Sequence, residues 1–185
     1  MKINVINSFC LDGRVAIVTG GSRGLGEVIA SALAEGGASV ALLSRRSRVH
    51  KVANELSTEH NRKCRGYICD VREPKAVQDA IGSVISDFDG LHILINNAGI
   101  NVRGSIEDLS LEDYQQVQET NTTSAWMSSK VVAAHFKAQN YGKVVNIGSL
   151  LSILGRANRT PYAVSKGGVL QLTRALALEW APFGI

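Results

Sequence analysis

Five short apolar runs alternate along this chain with longer stretches of helical period, and that alternation narrows the fold more than any other feature. "RVAIVTG" (14–20), "ASVALLS" (38–44), "GYICD" (66–70), "LHILINN" (91–97) and "GKVVNIGS" (142–149) read as strands. Four of the five carry near-continuous apolar cores, as parallel strands covered on both faces do. Helices are expected between them near 24–36, 47–60, 74–88 and 110–139, with a last one over 161–181. Thr160 reads as the N-cap of that last helix, with Pro161 at its first position. Pro182 and Gly184 mark its end. The expected fold is α/β: a Rossmann-like, doubly wound parallel sheet in three layers with right-handed crossovers. No repeat, low-complexity segment or linker interrupts the pattern, so residues 1–185 read as one domain.

Composition then removes several classes of function. No segment approaches the roughly 20 apolar residues of a membrane helix, so no membrane partner is expected. The start, "MKINVINSFCLDG", has no apolar run and does not read as a secretory signal. Cys10, Cys64 and Cys69 are odd in number and lack CxxC spacing, which argues against a disulfide framework or a metal site. A reduced, cytoplasmic protein is the plain reading. The densest basic cluster, "SRRSR" (44–48), has no interleaved aromatic residues, so no nucleic-acid partner is expected.

The first strand runs into "TGGSRGLG" (19–26), where the first helix opens. Glycines at 20, 21, 24 and 26 form Gly-x-x-x-Gly-x-Gly, a variant of the usual dinucleotide fingerprint. Glycines let the backbone approach a pyrophosphate, and the helix N-terminus offers free N–H groups to the anion. Gly20, Ser22, Arg23, Gly24, Leu25 and Gly26 are therefore candidate cofactor contacts. The second strand ends in "LLSRR", where an NAD-specific fold commonly places a carboxylate for the ribose 2′-hydroxyl. Here Ser44 and Arg45 stand instead, with Arg23 nearby in the glycine loop. Guanidinium groups bind a 2′-phosphate that a carboxylate would repel, so NADP(H) is expected over NAD(H).

"RTPYAVSK" (159–166) sets Tyr162 and Lys166 one helical turn apart. Free tyrosine and lysine titrate at about 10 and about 10.4, so each alone holds its proton at neutral pH. A cation beside the phenol favours phenolate and lowers the tyrosine pKa, which makes it usable as an acid/base.

At this point the chain resembles the classical short-chain dehydrogenase/reductase family. The resemblance rests on "TGGSRGLG", Asp70 in "CDV", "NNAG" (96–99), Asn121 in "ETN", Ser149 in "NIGS" and "YAVSK", in family order. It extends from about Leu11 to Ile185. It implies a Rossmann NAD(P)-binding domain and hydride transfer between nicotinamide and a carbonyl or secondary alcohol. It also implies roles: Tyr162 as the acid/base, Lys166 lowering its pKa and holding the nicotinamide ribose, and Ser149 positioning the substrate oxygen. Asn121 is assigned a water that links Lys166 to solvent. Asp70 and Val71 are assigned the adenine, and Asn97, Ala98 and Gly99 the cleft wall. The helices near 110–139 and 161–181 resemble the family's oligomer-forming pair, implying a homo-oligomer.

"SLLSILGRANRTPYAVSKGGV" and "ALEWAPFGI" look most like the gluconate 5-dehydrogenase group, which acts on sugar acids and polyols. Arg103, Arg156 and Arg159 are candidates to meet a substrate carboxylate. A 3-oxoacyl-thioester reductase of the same family and a non-catalytic binding or assembly subunit are the alternatives. Trp126 and Trp180 read as core or interface residues, not as ligand-stacking ones. Family members usually continue past a segment like "EWAPFGI" into further strands and a substrate-covering lid. The fifth strand is therefore expected to present an unpaired apolar edge at Val144, Val145 and Ile147. Weak or absent activity and poor solubility are expected of the chain as given.

Overall fold

The computed structural model describes residues 9–185; the reading of the first eight residues as no leader lies outside them. Five parallel strands form one sheet: β1 (Val15–Thr19), β2 (Ser39–Ser44), β3 (Cys64–Ile68), β4 (Ile93–Asn96) and β5 (Lys143–Asn146). Their order is β3-β2-β1-β4-β5. The helices between them are α1 (Gly24–Glu35), α2 (Arg48–His60) and α3 (Pro74–Phe88), then α4 (Leu111–Gln118), α5 (Ser124–Ala138) and α6 (Thr160–Trp180).

β1 sits at the centre and is buried along its whole length. Its register places Ile17 between Ala41 of β2 and Leu94 of β4. Successive side chains leave opposite faces. Ala16 and Val18 pack with Ala30 and Ala34 of α1 and Val49, Val52 and Leu56 of α2. Val15 and Ile17 pack with Val77, Ile81 and Val84 of α3 and Val132 and Phe136 of α5. Two apolar layers, one on each face, explain why the central strands read as unbroken hydrophobic runs.

β5 departs from that pattern. It is hydrogen-bonded to β4 alone, and its side chains alternate between exposed and half-buried. Val145 is 46% exposed, whereas Val144 and Ile147 pack against the two cores. The exposed apolar edge is thus carried by one valine of the three residues expected there.

Most element ends differ from the sequence reading by one to three residues, and three departures have a physical reason. β3 begins at Cys64, two residues early, because Cys64 pairs with Val40 of β2. Exposed Arg65 hid the strand signal; it reaches Asp87, the same carboxylate that accepts the Tyr67 hydroxyl at 2.7 Å. The expected helix over 110–139 contains a π-turn, Glu119–Thr123, between α4 and α5. Such wide turns recur at functional sites. Finally, α6 begins at Thr160 itself, with Arg159 at the N-cap making no side-chain capping bond.

Two predictions follow from the packing. A Cβ at Gly66 would lie 2.7 Å from the backbone of Val49, so β3 and α2 touch through a missing side chain. Gly66→Ala is expected to cost about 1–3 kcal/mol of stability, read from urea melts. The second concerns His92, whose Nδ1 accepts from Val15 N at 3.0 Å and whose pKa is lowered by burial, then by Arg14 and His135. The unfolded chain, with a histidine pKa of about 6.5, therefore takes up this proton first as pH falls. Stability from this group is present above that pH and lost as pH drops towards the lowered folded value. Urea melts at neutral pH and below pH 6 are expected to show a smaller loss for His92→Asn than for the parent.

Candidate active site

The carboxyl ends of β1, β2, β4 and β5 open into one cleft of about 510 Å³. It lies where β1 parts from its two neighbours, the place where open parallel sheets take ligands. All fifteen sequence-derived cofactor candidates, from Gly20 to Lys166, line it.

The glycine loop is held from below. Thr19 Oγ1 accepts from the backbone N–H of Asn97 and of Ala98, each at 3.0 Å, and donates to Ile95 O. Asn97 Nδ2 in turn donates to Thr19 O at 2.8 Å. The turns after β1 and β4 are thereby joined. Gly20 takes a φ of +68°, favourable to glycine, and a Cβ at Gly26 would strike the Gly20 carbonyl. Arg23, at the N-cap of α1, makes no side-chain capping bond, so the first-turn N–H groups beside Gly24, Leu25 and Gly26 lack that partner. Those amides suit a diphosphate.

At the end of β2, Ser44 turns inward. Its hydroxyl bonds the Ser22 hydroxyl at 2.8 Å and accepts from Arg46 N at 3.3 Å. The cations at this rim are Arg23, Arg45 and Arg46, all exposed. Beside this rim, just past β3, Asp70 accepts from Arg72 through both carboxylate oxygens, at 3.0 Å and 2.7 Å. Hydrogen bonding from Arg72 holds the Asp70 carboxyl below its usual value. Cys69 lines the same wall, but burial pushes its thiol up to about 11, leaving it inert near neutrality.

The opposite rim carries Tyr162 and Lys166 on α6. Lys166 Nζ lies 5.7 Å from the Tyr162 ring centroid. Lys166 is only 5% exposed, and burial lowers its pKa. Among the described residues no carboxylate pairs with it; Nζ donates to Ile147 O at the end of β5. A buried ammonium with donors to spare fits the hydroxyls of a ribose.

Ser149 and Asn121, the other two residues assigned to catalysis from the sequence, are not among those that line the cleft. Ser149 caps the short turn Leu150–Ser152, its Oγ accepting from Leu151 N at 3.2 Å, which leaves the hydroxyl proton to donate. Asn121, within the π-turn, accepts from Ile100 N at 2.8 Å and donates to Ile100 O and Ser165 Oγ. Both its amide protons are committed, tying the β4 loop to α6. Any water it holds must therefore use other atoms.

Sequence reasoning missed Arg72, Ile100, Thr120, Ile147 and Gly148, all of which line the cleft. Ile147 and Gly148 lie between β5 and Ser149, and Arg72 is two residues past Asp70; chain proximity to named candidates was the available signal. Arg103, Arg156 and Arg159 lie off the cleft wall. The Arg159 pKa is lowered by burial and then by the Arg103 and Arg156 charges. Trp180 is buried, as expected, whereas Trp126 is 49% exposed, with Lys130 over its ring.

Among the described residues no helix is long and apolar enough to cross a membrane, and no cluster of three metal-ligating side chains occurs. The short chain dehydrogenase family profile matches residues 14–185. A gluconate 5-dehydrogenase of Gluconobacter oxydans is 36% identical over 96% of this chain and 69% of its own length. The crystal structure of a gluconate 5-dehydrogenase from Burkholderia cenocepacia, in complex with NADP and tartrate, superposes with a TM-score of 0.94 at 33% identity. That match covers 98% of this chain and 71% of the other. An NAD+-bound xylitol dehydrogenase superposes with a TM-score of 0.91 at 34% identity, over 95% of this chain and 68% of its own. With the glycine loop, the Tyr162–Lys166 turn and the strand order in place, the chain belongs to the short-chain dehydrogenase/reductase family of oxidoreductases.

Proposed function

We propose that this chain binds NADP(H) in its cleft and serves reversible reduction of a carbonyl on a sugar acid or polyol, with Tyr162 as acid/base. The observation that carries the reading is the buried, carboxylate-free Lys166 beside Tyr162 in a cleft walled by the glycine loop. When bound, the nicotinamide supplies or accepts the hydride.

The remaining steps fall to the chain. A carbonyl gaining hydride develops negative charge on oxygen, and donors aimed at that position stabilise it. Tyr162 gives its proton to the oxygen during reduction and takes it back during oxidation. Lys166 brings its positive charge beside Tyr162 and offers its spare donors to the ribose. The lowered Lys166 pKa limits this only where pH approaches that value, since the charged form does the work. Ser149 donates its free hydroxyl proton to the substrate oxygen.

At the adenosine end, Arg45 and Arg23 meet a 2′-phosphate, and the first-turn amides of α1 meet the diphosphate. The substrate class rests on likeness to the gluconate 5-dehydrogenases. A panel of gluconate-type sugar acids, polyols and 3-oxoacyl thioesters, assayed with both cofactors, tests it. Turnover restricted to the thioesters would replace the sugar-acid reading.

Tyr162→Phe is expected to lower turnover by at least about 100-fold, the scale of a lost general acid/base, while leaving cofactor affinity intact. Lys166→Ala is expected to weaken both, since two tasks rest on it. Full activity in Tyr162→Phe would refute the mechanism. For cofactor choice, NADPH is expected to bind at least about tenfold more tightly than NADH, a difference of ~1.4 kcal/mol. Arg45→Asp is expected to abolish or reverse that preference in fluorescence titrations.

A further inference from the structure

Three charged side chains meet at the adenosine end of the cleft. Arg72 grips Asp70 with a fork: Nε lies 3.0 Å from Oδ1 and Nη2 lies 2.7 Å from Oδ2. The Arg72 backbone N–H adds a third bond to Oδ1 at 3.0 Å. Arg45 approaches the same carboxylate more loosely, with Nη1 4.0 Å from Oδ2. Arg45 is half-exposed at 53%, whereas Asp70 and Arg72 are more enclosed, at 24% and 28%. The asymmetry sorts the two guanidiniums: one is bound, the other is near but unspent.

The geometry points to Arg72 as a positioning residue for cofactor selection: by occupying Asp70 it keeps Arg45 free to take the 2′-phosphate of a phosphorylated dinucleotide. This rests on the NADP(H) reading above. The reason is charge arithmetic at short range. Asp70 and Arg72 cancel, which leaves Arg45 as the net positive charge of the trio. Without Arg72 the carboxylate stands uncompensated at 4.0 Å from Arg45, and the two close into an ion pair. The rim then presents a carboxylate to an incoming phosphate, with its neutralising cation already used. The bidentate fork matters because a guanidinium saturates both oxygens at once. Arg72 is itself steadied: its protonated form is favoured first by the hydrogen bond to Asp70, with Glu119 and Glu73 adding to the field.

The test is a double-mutant cycle on the full chain: parent, Arg72→Gln, Asp70→Asn and the double variant, each titrated with NADPH and NADH and each melted thermally. Arg72→Gln is expected to weaken NADPH about tenfold and NADH by less than about threefold, so the change falls on the phosphorylated cofactor. Adding Asp70→Asn is expected to return most of the lost NADPH preference, because the carboxylate that captured Arg45 is gone. Arg72→Lys, which keeps the charge, is expected to retain more of the preference than Arg72→Gln. Equal losses for both cofactors, with no recovery on adding Asp70→Asn, would show that Arg72 merely braces the turn after β3 and would overturn the inference. Should Arg72→Gln fail to fold, Asp70→Asn alone decides: its NADPH-to-NADH ratio is expected to hold or rise, and a fall overturns the inference. A parent that binds both cofactors equally removes the 2′-phosphate reading and this inference together. A parental preference that survives in Arg72→Gln removes this inference alone.

Discussion

The hydroxyl of Thr19 is the fastening on which the cleft depends. β1 and β4 run side by side, yet the chain leaves them in different directions, into the glycine loop and into the Asn97–Gly99 turn. Nothing in the ladder itself holds those two turns together. Thr19 does so by accepting two backbone N–H groups from the β4 turn while donating to Ile95 O, all from a residue that is 2% exposed. A buried hydroxyl with one donor and two acceptor sites is fully used here. The loop glycines then allow the close approach that Thr19 imposes, since a side chain at Gly20 would meet Ala98 Cα at 3.1 Å. The phosphate end of the cleft is therefore shaped from beneath by sheet residues, before any ligand arrives.

The other rim is governed by a buried charge. Placing an ammonium where only 5% of the residue is exposed is costly unless something compensates. Among the described residues, a backbone carbonyl is the acceptor that Lys166 has. Its lowered pKa records that cost. A fold selected for stability alone has better choices at this position, because an apolar side chain of similar length would pack without penalty. Under the proposed function the two rims divide the work: neutral backbone amides and exposed guanidiniums serve the cofactor phosphates, and a desolvated cation serves the end where Tyr162 stands.

Much of this was legible in the sequence, and the reasons differ by residue. The central strands were readable because two covering layers make them apolar throughout, and α3 was placed to the residue at 74–88 because Pro74 fixes its start. The glycine loop and Tyr162–Lys166 turn were readable because each packs its chemistry into a few consecutive residues. β3 was misread at its start because an edge strand carries polar side chains such as Arg65 on its open face. The π-turn left no trace in hydrophobic period because its five residues, ETNTT, carry no apolar side chain to mark the change of phase. Arg72 escaped notice because its importance lies in a partner, Asp70, whose own role drew the attention. Asn121 was read from its motif, but not its three protein bonds, which depend on residues 21 and 44 positions away.

The placement of the reacting end rests on a relay of side-chain amides, not on the sheet alone. β5 has one ladder neighbour, so its position is softer than that of β1. Asn96 at the end of β4 donates to Asn146 Oδ1 of β5 at 2.8 Å, and Asn146 donates to Thr173 Oγ1 of α6 at 2.9 Å. That chain of contacts carries position from the rigid centre of the sheet, through the edge strand, to the helix that bears Tyr162 and Lys166. Asn96 Oδ1 remains buried without a partner, a penalty of about 1–3 kcal/mol for such a group. An apolar residue at 96 avoids that penalty but breaks the relay at its first link. Ile147 O, the acceptor for Lys166, follows Asn146 directly, so any shift of β5 moves the ammonium's anchor. The polar residue at the end of β4 therefore trades core stability for the distance between a lysine and a tyrosine more than sixty residues away.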